Sequence, residues 1–221
     1  MSKEISEENM NKKPSKTQSI FLQIIANISL MAELANNNFL ESEYYQKMKW
    51  SCAKTNEEHI KQILMESGIG NPAMLQMFMY ALLVIPKEEV ENNHWEKEFN
   101  KEVQKYVSEL YSTYPDEKTK DNFNYYRHIR NSVAHSNCEY YDIDGISYIS
   151  FIDCNPKNRS KTCEIKMKTG DVGNLCVFLL CKLMEYINET TSWNFIWANI
   201  AKKNSAVIYC LMIKIMADIG Y

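Results

Sequence analysis

The chain has 221 residues, 45% of them hydrophobic and 24% charged, with a formal net charge of −3 and a pI near 5.9. That length and balance fit one globular domain with a proper core. The mild acidity excludes a general nucleic-acid coat protein, though not a local basic cleft. Six glycines and five prolines are too few for a turn-rich β-sandwich or barrel and favour long helices.

Taken in order, residues Met1 to Thr17 are rich in Lys, Glu, Asn and Ser and read as a polar, disordered tail. From Gln18 the spacing of Ile20, Phe21, Ile24, Ile25, Ile28, Met31 and Leu34 predicts a helix to about Ala35. Asn36-Asn37-Asn38 ends it, and Glu41 to Lys54 reads as a second helix. Thr55 and Glu58 form a capping-box pattern for a third, which stops at Gly68. Pro72 opens a nearly all-apolar helix through Ile85, read as an interior helix packed on every side. Lys87 to Tyr111 then reads as one long amphipathic helix, with Trp95, Phe99, Val103, Tyr106, Val107 and Leu110 on one side.

After the turn at Tyr114-Pro115-Asp116, Asp116 or Asp121 starts a helix whose apolar stripe is Phe123, Tyr126, Ile129 and Val133. Cys138 to Ile143, Ile146 to Ile152 and Thr162 to Met167 alternate, with Asp144-Gly145 between the first two, which is a strong hairpin signal. Asp171 caps a further helix, Val172 to Glu189, and Trp193 to Tyr221 is helical by pattern. The expectation is one domain over 18–221, all-α, with a small β-hairpin at about 139–167.

Seven cysteines, none in a C-x-x-C pair or at zinc-finger spacing, read as small buried hydrophobes in a reducing compartment. The N-terminus lacks a secretory pattern, and no run of about 18 uncharged apolar residues exists. The best candidate, Ala206 to Ala217, is short and carries Lys214. A cytoplasmic protein without a membrane span is expected.

The chemistry concentrates between Asn124 and His135. Only three of the 25 basic residues are arginine, and two of them, Arg127 and Arg130, lie here with His128 and His135, two of the four histidines. Arginine offers a planar fork of donors that fits a phosphate, and histidine suits proton transfer near neutrality. Arg127, Asn131 and His135 repeat every four residues and share one helix stripe, flanked by Arg130. Arg130 and His135 are five positions apart, about 140° around a helix. One copy therefore holds them loosely, whereas two antiparallel copies bring both pairs into one cleft. His128 reads as a surface or packing residue, and His94 near Glu91 and Glu98 as a solvated face rather than a metal site.

The string Arg130-Asn131-Ser132-Val133-Ala134-His135 resembles the R-x4-6-H signature of the HEPN superfamily, including the polar residue after the arginine. The longer Tyr-Arg-His-Ile-Arg-Asn-Ser-Val-Ala-His is similar to the motif helix of stand-alone bacterial HEPN proteins from toxin, plasmid and phage-defence settings. The resemblance implies an antiparallel HEPN-like helical bundle and a homodimeric, metal-independent endoribonuclease without a cofactor. Arg130 would bind the scissile phosphate, Asn131 would orient phosphate or histidine, and His135 would move the proton; Arg127, which lies outside the family pattern, would add a second phosphate contact. It also implies an RNA substrate and an antitoxin or other regulatory partner. The alternative is a catalytically silent HEPN-fold module that binds a nucleotide or a protein. In that case Arg130 pairs with an acidic residue of a neighbouring helix, and His135 merely ends its own helix, where a cation is favoured.

Overall fold

The computed structural model describes residues 15–50, 56–91, 94–117 and 120–190. The tail before Ser15, the Thr55 cap and the segment 193–221 lie outside the described residues. Helix α1, Lys16–Asn36, starts at a capping box: the Ser15 hydroxyl accepts from the Gln18 N–H, and the Gln18 side chain accepts from the Ser15 N–H. Its length and mean hydropathy of 1.3 are those of a membrane-crossing helix, but Phe21, Ile24, Ile25, Ile28 and Ala32 pack into the core. The second segment is shorter than its pattern suggests, because α2 covers only Glu43–Lys47. Helix α3, Glu57–Ser67, stops at Gly68, whose φ of +71° favours glycine.

Helix α4, Pro72–Met79, widens into π-helical turns over Tyr80–Val84. It is not enclosed on every side: Leu75, Phe78, Met79, Leu82 and Leu83 are buried, while Met77, Tyr80 and Ile85 face outward.

The largest departure from expectation lies between Lys87 and Tyr111. The expected long helix is divided into α5, Lys87–Val90, α6, Trp95–Gln104, and a strand β1, Val107–Ser112. With β2 (Cys138–Ile143), β3 (Ile146–Cys154) and β4 (Thr162–Lys168), β1 completes a four-stranded antiparallel sheet in the order β1-β4-β3-β2. The fold is therefore mixed α/β, not all-α, and the presumed hairpin insert is a full layer. The turn Asp144-Gly145 does join β2 to β3, with both residues at positive φ, 51° and 76°.

Helix α7, Tyr125–Ala134, lies against β3 and the π-helical turns, and α8, Thr169–Thr190, packs along the same core. The inward face of the sheet is Ile149 and Phe151 of β3 with Cys163, Ile165 and Met167 of β4, all at most 1% exposed. Helix α7 is thus held between the sheet and the helices before it, around one core.

Candidate functional site

Helix α7 carries the motif, and its neighbours fix its position and rotation. It begins at Asn124, later than either aspartate proposed from the sequence, because the Asn124 side chain caps it by accepting from the Arg127 N–H at 2.9 Å. The Asn124 amide donates to Glu96, and the Tyr126 N–H donates to Asn100 Oδ1 at 3.0 Å, so α6 sets where α7 starts. Tyr126, Ile129 and Val133 are fully buried. The Tyr126 hydroxyl donates to the Leu83 carbonyl at 2.9 Å, and burial pushes its phenol far above the usual tyrosine range. At the other end the Gln76 amide donates to the Val133 carbonyl at 3.3 Å.

On this clamped helix Arg130 is 8% exposed. Its Nε and Nη2 donate to Asn131 Oδ1 at 3.3 and 3.0 Å, and its Nη1 pairs with the Glu91 carboxylate at the end of α5. The guanidinium also lies 5.5 Å from the Tyr126 ring centroid. Arg130 and Asn131 therefore form one unit. The acidic partner that the alternative requires is present in Glu91, whose side chain is 36% exposed.

His135 is not part of that unit. It is the C-cap residue of α7, its N–H donates to the Asn131 carbonyl at 3.0 Å, and its ring is exposed without a partner among the described residues. Arg127 is half-buried and engaged: its Nη2 donates to Glu117 Oε1 at 2.7 Å, and its guanidinium sits over Tyr114. The stripe of Arg127, Asn131 and His135 thus divides into three environments.

The residue that sequence reasoning undervalued is His128. It is 0% exposed, and its ring touches those of Phe123 and Tyr114. Its Nδ1 lies 2.7 Å from Asp153 Oδ2, and its Nε2 lies 2.6 Å from Glu117 Oε2. A carboxylate oxygen thus faces each ring nitrogen. Arg127 Nη2 also lies 3.1 Å from Nε2. Glu117 bridges the two, with one carboxylate oxygen on each. Asp153 Oδ2 also accepts from the Asn131 amide at 3.2 Å. Glu91 thus faces Arg130, Glu117 joins Arg127 to His128, and Asp153 joins His128 to Asn131. Asp153 had a signal in the sequence: it continues the inward alternation of Ile149 and Phe151, where an acid has no business unless paired.

Among the described residues, no group of three or more His, Cys, Asp and Glu is arranged to hold a metal ion. His94 lies 3.4 Å from Glu98, one turn along its own helix, on an exposed face.

A family model described as HEPN pEK499 p136 matches residues 5–190. No curated protein and no solved structure matches the chain.

Proposed function

The chain belongs to the HEPN superfamily, and on that premise we propose that it is a metal-independent endoribonuclease, acting in the cytoplasm as a homodimer. The observation that carries this is the state of Arg130. Two of its nitrogens are held by Asn131, and the third faces an anion, the partly exposed Glu91 carboxylate. A phosphate that displaces Glu91 meets a guanidinium already oriented for it.

In the reaction the 2′-OH of RNA attacks the adjacent phosphorus. The O2′–P bond forms, the P–O5′ bond breaks, and the 2′-OH proton ends on the leaving 5′-oxygen. Arg130 stabilises charge on the non-bridging oxygens, and His135 takes or delivers the proton. His135 is exposed and five positions from Arg130, on a helix that separates them by about 140° and about 7.5 Å of rise. A second copy across a two-fold axis supplies the missing partner for each. Arg127, tied to Glu117, contributes to phosphate binding through its field rather than by a free fork. The biological setting that fits is a toxin or phage-defence effector, held off by an antitoxin or other regulatory partner.

The Arg130–Glu91 pair also favours a second reading, a catalytically silent module that binds a nucleotide or a protein. Cleavage of a mixed RNA substrate in EDTA separates the two. The nuclease reading expects cutting with 2′,3′-cyclic phosphate ends, reduced by about 100-fold or more in Arg130→Ala and in His135→Ala. No cutting by folded, dimeric wild-type protein would overturn it in favour of the binding module.

A further inference from the structure

We propose that Asp153, on the sheet, is a positioning residue for Arg130 that acts through the amide of Asn131. Its catalytic consequence rests on the nuclease reading above; its structural part does not. An asparagine amide has a donor end and an acceptor end. The Asn131 nitrogen donates to Asp153 Oδ2 at 3.2 Å, which leaves its oxygen to accept from Arg130 Nε and Nη2 at 3.3 and 3.0 Å. The flipped amide would set NH2 against the guanidinium and oxygen against the carboxylate, repulsive contacts in place of three hydrogen bonds. Asp153 therefore decides which way the amide points, and the amide decides the plane of the guanidinium. That plane turns Nη1 toward Glu91.

Asp153 can play this part because it is itself held. It is 6% exposed, at the inward-facing end of β3, and the same Oδ2 also accepts from His128 at 2.7 Å. The other ring nitrogen of His128 is anchored by Glu117, which Arg127 holds in turn at 2.7 Å. Buried pairs of this kind add little net stability over apolar side chains of the same size. Their placement next to the motif asparagine points to orientation as their use. The charged array fixes a carboxylate oxygen on a rigid strand, and the strand fixes the motif.

The test is Asp153→Asn, which keeps the shape and removes the charge. The chain has three arginines, so its arginine Nε–H region in a 15N-correlated spectrum holds three resonances. With the fold intact by circular dichroism, the Arg130 resonance shifts and broadens while that of Arg159 stays in place. In cleavage assays kcat falls by about 10-fold or more, because misorientation is felt in the transition state, while KM stays within about twofold. Asp153→Asn combined with Asn131→Ala is no slower than Asn131→Ala alone, as expected if one acts through the other.

An unmoved Arg130 resonance with unchanged kcat would overturn the proposal. A moved resonance in a protein that never cuts RNA would support the positioning role and defeat only the nuclease reading. If Asp153→Asn does not fold, the wild-type protein decides. A slowly exchanging Asn131 side-chain amide proton supports the bond to Asp153, and exchange at the rate of exposed asparagines refutes it.

Discussion

Replacing Glu91 with glutamine tests whether Arg130 is an anion site that the chain itself occupies. The Glu91 side chain is 36% exposed and that of Arg130 10%, so the pair lies between a surface ion pair, worth about 0–1 kcal/mol, and a buried one. A value near 1 kcal/mol is reasonable, because Arg130 keeps two hydrogen bonds to Asn131 when Glu91 leaves. A phosphate entering the site must first break that pair, and it also approaches a carboxylate of its own sign. Glu91→Gln removes both costs, so phosphate-backbone affinity rises by about fivefold, the equivalent of about 1 kcal/mol. The assay is equilibrium binding of an all-2′-O-methyl RNA oligomer, which has no free nucleophile, at one fixed salt concentration. Arg130→Ala serves as the reference and weakens binding. Equal or weaker binding by Glu91→Gln, with Arg130→Ala unchanged from wild type, would refute Arg130 as the phosphate contact.

Three further outcomes bear on the frame that holds the site. Tyr126→Phe deletes the hydroxyl that donates to Leu83 and leaves that buried carbonyl alone, so chemical denaturation should show a loss of about 1–2 kcal/mol with little change in slope. Gly145→Val places a β-branched side chain at a φ of +76°, and a loss of about 1–2 kcal/mol is expected in the same assay; no loss would mean that the β2–β3 turn relaxes. The Lys182 ammonium, 2.7 Å from Glu98, holds that carboxyl below its usual 4.5. A depressed acid stabilises above its unfolded pKa and loses the contribution as pH falls through the folded one. Wild-type protein should therefore lose more stability than Lys182→Met between about pH 5 and about pH 3, followed by thermal melts at each pH.

The sheet was legible where its strands alternate cleanly and illegible where one does not. Cys138 to Ile143 was bounded correctly from pattern alone, and Ile146 to Ile152 and Thr162 to Met167 were short by one or two residues. Strand β1 was lost because its pairing with β4 shifts between Val107 and Glu109. That irregularity breaks the period of two, and Val103, Tyr106, Val107 and Leu110 are left with the threes and fours of a helix. The missed strand turned a mixed fold into an all-α one. At the site, the Arg130–Asn131 unit and the position of His135 at a helix end follow from local spacing. Glu91, Glu117 and Asp153 arrive from α5, a loop and β3, and no local pattern announces which acid meets which base. Only Asp153 left a trace, as the acid in an apolar stripe.

The economy of arginine in this chain has a geometric explanation. Arg130 uses Nε and Nη2 on the Asn131 oxygen and Nη1 on Glu91 at the same time. Arg127 sets one nitrogen against Glu117 while its planar face covers Tyr114. A lysine has one nitrogen on a flexible stem and satisfies neither arrangement. The same chain spends lysine freely at the exposed partners of Glu102 and Glu43, where a point charge suffices. In α7 both arginines meet acids that the motif does not contain. The short string that marks the family is therefore only half of the site. The other half is the frame of α5, the loop before α7, and β3, whose acids meet Arg130, Arg127 and the Asn131 amide.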